Sequence, residues 1–449
     1  MYDAISIEDR QKPVVMLVNY GFSHDAESAA RSKGMPGIRV IPTKVPCEST
    51  VKEDIEAGVD ESWNDIIIAL TKPLTAEEKS PQAKETEKPA RIIFKGSLSE
   101  VNRFFYQRGW TDGLPIIPPT EEAIEEMLTG TDLPAAHLLG KLQSRLGKAT
   151  VEKIAVNAVM AGALPTYLPV LIAGTIDLLE SEPGFMGYTT FGFSTGSWAP
   201  FWVINGPIRN QLNINNSSGA FSPGNIANAA IGRAMGLIIK NIGGVRKGIE
   251  DMGVMGNPMK YTMVVAENEE ESPWEPLHVE HGYKKEDSTI CLSFPQTFLQ
   301  HWPTGSDATN ILRSVVYNMP RGMRYTIIFN PPHAKNLARE GYTKEKTKKY
   351  IAENKLVPKA LIKTQVGMEA SPSVPTGPQS DEDTEMVPLI RDYRFVRVIV
   401  GGGPGAFIAH LVGGGATPGK KEIQKIELPK NWDRLVAKYK NIVPTYAKY

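Results

Sequence analysis

The chain has 449 residues, with 50 basic and 50 acidic side chains, 41% hydrophobic residues and two cysteines. That length supports at least one large core and two or three domains, and the balanced charge supplies no net field for nucleic acid or an anionic membrane. Two cysteines build neither a disulfide framework nor a structural zinc site. Apolar runs such as 166–179 break before the roughly 18 residues that a span needs, and residues 1–10 show no basic-then-apolar leader. A cytoplasmic protein without a membrane segment is the expectation.

In chain order, 13–19 reads as a buried strand and 23–32 as a helix, with Ser23 as a plausible N-cap and Gly34 beyond its end. A strand at 38–42 follows, then helices at 50–58, where Thr50 and Glu53 have capping-box spacing, and at 63–70. This β-α-β-α order predicts a small, incomplete parallel α/β unit over 1–75, a partial flavodoxin-like arrangement that is thin for an independent domain. Residues 76–92 are charged, Pro-punctuated and poor in large apolar side chains, the composition of a linker. A large α/β domain with a mixed sheet is expected over 93–449.

Within it, 97–107 and 121–128 read as capped helices, with Asp112-Gly113 between them as either an ordinary turn or a pocket element. Helices at 150–160 and 167–179 precede a strand at 201–205, which runs into Asn205-Gly206-Pro207. A helix at 225–239 carries Ala229, Ala230 and Gly232 at spacing that permits close backbone packing. Strands at 261–266, 324–329 and 395–400, a charged exposed helix at 343–355, a mobile insertion at 370–387, a helix-like run after 401–406 and a closing helix within 425–439 complete the reading.

Unusual residues concentrate between 205 and 283. Glu267, Glu269, Glu270 and Glu271 put four carboxylates within five residues, and these cannot all be buried and ionised without partners. Arg233 is the expected counterion. His278 is the preferred general acid or base, because an unperturbed imidazole titrates nearest neutrality. Its spacing to Glu280 and His281 fits no familiar metal motif, so no metal ligands are assigned. Asp112, Glu267 and His278 are the acid/base candidates, and Asn205, Arg233, Asn268, Glu270 and Gly402 the candidates for contacting a small polar substrate. The Gly401-Gly402-Gly403 turn lacks the Lys and Ser/Thr of a phosphate loop, leaving a structural turn or a backbone-lined pocket. Cys291 sits in an apolar strand, as inert thiols do. Cys47 is placed at a strand-to-helix junction that would lower its pKa, against the opposing charge of Glu48. No cofactor is assigned from the sequence, which leaves its use open.

Several of these stretches resemble the UGSC-type (seleno)protein family: 110–115 with 118–120, 155–162, Asn205-Gly206-Pro207, Ile231-Gly232-Arg233, and 267–270 with 272–276. The resemblance covers most of 100–430, and the family is distantly similar to the selenocysteine-bearing B components of glycine and betaine reductases. Its name refers to a selenocysteine- or cysteine-Gly-Ser-Cys segment after the first strand of the small unit. No Cys-Gly-Ser-Cys occurs here, and 2–8 resembles the helix that follows it. The resemblance therefore implies the large subunit of an oligomeric, reductase-like enzyme, with a small partner supplying the first strand and the reactive chalcogen. The alternatives are a stand-alone lyase or hydratase using Asp112, Glu267 and His278, and a non-catalytic small-molecule binding protein or scaffold.

Overall fold

The computed structural model describes residues 2–8, 10, 12–32, 34–35, 37–45, 51–75, 91–180, 195–322, 324–359, 384–414 and 423–442. Cys47, Thr50 and most of the expected linker and insertion fall outside the described residues. The protein is α/β, with a small parallel sheet near the N-terminus and a large mixed sheet beyond it.

The N-terminal unit comprises α1 (Tyr2–Glu8), β1 (Val15–Asn19), α2 (Ser23–Ser32), β2 (Arg39–Thr43) and α3 (Lys52–Thr71). Strands β1 and β2 pair in parallel from Val15–Arg39 to Asn19–Thr43. The two helices expected at 50–58 and 63–70 are one. Gly58 does not end α3; a Cβ there would lie 2.0 Å from Val45 Cγ2, so the glycine serves a close approach to the segment after β2. The helix buries Gly58 and Ser62, whereas Ile55, Trp63, Ile67, Ile68 and Leu70 are exposed.

The large region opens with α4 (Leu98–Gln107), α5 (Glu121–Leu128), the hairpin β3 (Leu138–Leu142) and β4 (Gly147–Thr150), α6 (Val151–Met160) and α7 (Leu168–Glu180). Ser97 and Thr120 cap their helices as expected, Ser97 and Glu100 forming a reciprocal capping box, and Thr150, read as the first helical residue, is the N-cap of α6. Then follow β5 (Phe201–Asn205), α8 (Ile208–Gln211), α9 (Ile226–Asn241), β6 (Val264–Ala266), α10 (Leu277–Glu280), β7 (Thr289–His301), α11 (Ala308–Asn318), β8 (Arg324–Phe329), α12 (Pro331–Arg339), α13 (Lys344–Asn354), β9 (Leu356–Pro358), β10 (Met386–Pro388), β11 (Val396–Val400), β12 (Ile408–Gly414), β13 (Ile423–Lys425) and α14 (Trp432–Tyr439).

The central sheet has the order β11-β8-β12-β7-β5-β6, with β13 added to β7. This order is symmetric about the β7–β12 contact. On one side β5 pairs in parallel with β6 and antiparallel with β7; on the other, β8 pairs in parallel with β11 and antiparallel with β12. The strand exits match as well. Glu267 N–H donates to the Ile204 carbonyl after β6, and Gly401 N–H donates to the Phe329 carbonyl after β11. Asn205 and Asn330 occupy the same position after β5 and β8.

Alternation along the strands sorts side chains into three cores. Trp202 and Ile204 face α6, α7 and α9, while Ile327 and Phe329 face α11, α12 and α13. Between them Phe201, Val203, Val265, Ile328, Ile399 and Leu411 form a third cluster that joins both edge strands. The sheet is therefore curled, and its edges meet where Asn268 N–H donates to the Val400 carbonyl at 2.8 Å. The run after 401–406, read as helix-like, is strand β12. Helix α13, expected to be exposed, buries Lys344, Thr347, Lys348 and Ile351. Among the described residues, no helix is long and apolar enough to cross a membrane.

Candidate functional site

The site begins where β5 and β6 end side by side. Asn205 and Glu267 are both fully buried. The Glu267 backbone extends the strand pairing, which leaves its side chain among polar groups rather than in the apolar core. Asn205 Nδ2 donates to Glu267 Oε2 at 2.6 Å, and Leu277 N–H, at the start of α10, donates to the same oxygen at 2.7 Å. Glu267 Oε1 has no hydrogen-bond partner and lies 3.7 Å from Lys344 Nζ. One oxygen is thus fixed and the other faces a cation.

The counterion of the neighbouring carboxylates is Arg209 of α8, not Arg233. Gly206, at φ +84°, turns the chain so tightly that a Cβ would meet the Asp287 carbonyl at 2.1 Å, and this turn brings Arg209 back under the β6 exit. Arg209 donates to the carbonyls of Gly206 and Glu267 and to both oxygens of Glu270, and its Nε lies 2.9 Å from Glu269 Oε1. Glu269 also accepts from Asn205 Nδ2 and Gly206 N–H. Burial works to raise the Glu270 carboxyl, but Arg209 and Asn210 outweigh it and hold the group at about 2. His278 is fully buried on α10; its Nδ1 lies 3.9 Å from Glu269 Oε1 without a hydrogen bond, and its Nε2 lies 3.5 Å from the Lys285 carbonyl.

From Glu267 the charges alternate outwards. Lys344 Nζ lies 3.2 Å from Glu280 Oε2 and donates to the Glu275 carbonyl, and Glu280 Oε1 pairs with Lys348. Burial pushes the Glu280 carboxyl up, yet the two lysines together hold it below its ordinary range. Lys344 and Lys348 are one turn apart on α13, 4% and 6% exposed, and a side chain of this kind is buried at such a level only when paired. Glu280, Lys344 and Lys348 line a cleft of about 320 Å³ together with Tyr393, Val396 and Arg397. Alternating charges thus run from a fully buried carboxyl to a solvent-facing cavity large enough for a small molecule.

The other expected site residues go elsewhere. Asp112 accepts two hydrogen bonds from Arg233, at 2.8 and 3.0 Å, and Arg233 also donates to the Pro115 carbonyl. That pair fastens the 110–115 loop to α9. The neighbouring Gly232 packs against Thr262, which precedes β6, whereas Glu267 follows it, so roughly 16 Å of extended chain separates the two positions. Asn268 is turned inward at the sheet closure, its Oδ1 accepting from Glu271 N–H. Gly402, at φ +83°, donates to the Asn216 carbonyl as a turn residue. Cys291 is buried in β7 opposite Val203. Among the described residues no group of three or more His, Cys, Asp or Glu is arranged to hold a metal.

Sequence reasoning missed Arg209, Lys344 and Lys348. A signal for the lysines was present: Lys344, Thr347, Lys348 and Ile351 follow i, i+3, i+4, i+7 spacing, the stripe of a buried helix face. Arg209 carried no such mark, because only the fold of the Gly206 turn aims it inward.

Comparisons with curated proteins and with solved structures find no match. The family comparison does: residues 1–72, which make up the N-terminal α/β unit, match the model of the UGSC family.

Proposed function

We propose that the chain performs acid–base chemistry on a small polar molecule, with Glu267 as the proton-transferring group and the Lys344–Glu280–Lys348 array linking it to the cleft. The observation that carries this reading is the half-satisfied Glu267 carboxyl. One oxygen is held by Asn205 and Leu277 while the other, without a hydrogen bond, faces Lys344. A carboxyl placed only for stability would be expected to have both oxygens satisfied. Proton removal next to a carbonyl, or elimination and addition of water, are the reactions such a group serves. The test is hydrogen–deuterium exchange at carbon in a panel of small oxo-, hydroxy- and amino-acids, followed by NMR. Exchange of at least one compound, lowered by about 10²- to 10⁴-fold in Glu267→Gln, is the expected result. Exchange at the buffer rate throughout, with the native chain, would count against it.

A second reading is favoured by α3 and rests on the same site. Trp63, Ile67 and Leu70 form an exposed apolar stripe at i, i+4, i+7 on the side of α3 turned away from Gly58 and Ser62, beside a sheet of only two described strands. On this reading a small subunit docks there, adds a strand and carries a thiol or selenol, making the assembly a reductase-like enzyme. The UGSC match over the same residues supports it. Native mass spectrometry of the protein isolated from its own cells should show a second polypeptide bearing a Cys- or selenocysteine-Gly-Ser-Cys segment, lost in Trp63→Glu. Isolation of an active chain with no companion would contradict it.

A further inference from the structure

Lys348 is buried on the inner face of α13 and lies at the cleft end of the charged array. It reaches past one turn of α13 to Glu280 although Lys344 already pairs with that carboxylate. Both ends of this second pair line the cleft, so the amine and its proton acceptor are presented together to whatever occupies it. Arg397 lines the same cleft and supplies positive charge at the start of β11.

We propose that Lys348 is a covalent catalytic amine, and that the substrate is a small oxo compound with an anionic end, of the 2-oxo acid type. In the step the Lys348 ammonium first passes a proton to Glu280. The neutral nitrogen then adds to the carbonyl carbon as the C=O π pair moves to oxygen. Glu280 returns its proton to that oxygen, then takes one from the nitrogen and passes it to the resulting hydroxyl, so that water leaves, a protonated imine remains and no oxidant or reductant is consumed. The imine withdraws electrons from the adjacent C–H, which is the proton that the acid–base reading assigns to the Glu267 array; the inference rests on that reading for its second half. Burial lowers the Lys348 ammonium below an ordinary lysine against the pull of Glu280, and Lys344 and Arg397 add to the lowering. A lysine beside another cation in a desolvated cavity is a known route to a nucleophilic amine.

The test is borohydride trapping with pyruvate, glyoxylate and glyceraldehyde as probes, read by peptide mass spectrometry. At least one probe should leave a reduced secondary-amine adduct on Lys348 in preference to Lys346 and Lys349, the exposed lysines of the same helix. Lys348→Arg should abolish that adduct, and Glu280→Gln should slow its formation by about tenfold or more. The selectivity in the native chain needs no variant to fold. No adduct with any probe, or adducts shared among the three lysines and retained in Lys348→Arg, would overturn the proposal. Trapping needs no turnover, so the two ideas fail separately. Absent trapping with Glu267-dependent exchange intact sinks only the imine, and trapping without such exchange sinks only the role of Glu267.

Discussion

The two halves of the central sheet share a backbone and differ in chemistry. At the β6 exit the chain reads Glu267-Asn268-Glu269-Glu270, and at the matching β11 exit it reads Gly401-Gly402-Gly403. Both exits make the same strand-to-strand hydrogen bond. Arg209, four residues after Asn205, holds the carboxylates of the first half; Ala334, four residues after Asn330, is fully buried and apolar in the second. The difference runs the other way beneath the helices. Leu292 lies opposite Trp202 in β5, whereas His410 lies opposite the equivalent Ile327 in β8 and stacks edge-on against His301. The lesson is that the repeated strand framework does not itself create a site. Charge stands at one exit and glycines at the other.

Breaking that asymmetry at its centre has the largest expected effect. Arg209→Met leaves Glu269 buried without its cation, a loss of about 3–5 kcal/mol that urea unfolding would register. Ala334→Ser, the equivalent position in the carboxylate-free half, should cost far less.

The histidines sharpen the comparison through pH. Burial, then the neighbouring His333, pushes His301 down to about 4. Burial, then His301 and Lys355, pushes His410 down to about 3. A folded value below the ordinary 6.5 means that the unfolded chain binds more protons. Stability is therefore fully present above about pH 6.5 and falls as pH drops towards those values, by up to about 1.4 kcal/mol per pH unit per group. His410→Leu copies the first half and should flatten part of this decline in urea titrations between pH 6.5 and 4.

The smallest effect is expected at the loop. Asp112→Asn weakens one partly buried ion pair and should cost about 1 kcal/mol. Carbon exchange should be unchanged, because Asp112 belongs to the α9 attachment and not to the cleft. Exchange lost together with the loop contact would show that the two regions act as one.

Much of this was legible in sequence, and what was not had physical causes. The caps at Ser97, Thr120 and Thr150 are local, so their helices could be read directly. So could Asn205 and Glu267, which mark strand ends by composition. Gly58 was misread as a stop because its partner, Val45, is a tertiary contact. The strand β12 was misread because an apolar run shows no period that separates a buried strand from a helix. Arg233 is the counterion that the sequence suggests, and no spacing rule points to Arg209 instead, since its approach depends on the Gly206 turn. The charge on α13 was taken for a solvated face, although its lysines are buried by pairing with Glu280.

The central claim is that proton transfer belongs to the β6 exit and not to its counterpart. The most direct measurement is the carbon exchange rate of two folded variants, Glu267→Gln and Gly401→Ala, against the native chain with one responsive oxo acid. The account predicts a fall of about 10²-fold or more for Glu267→Gln and a near-native rate for Gly401→Ala. Equal rates in native chain and Glu267→Gln would contradict it.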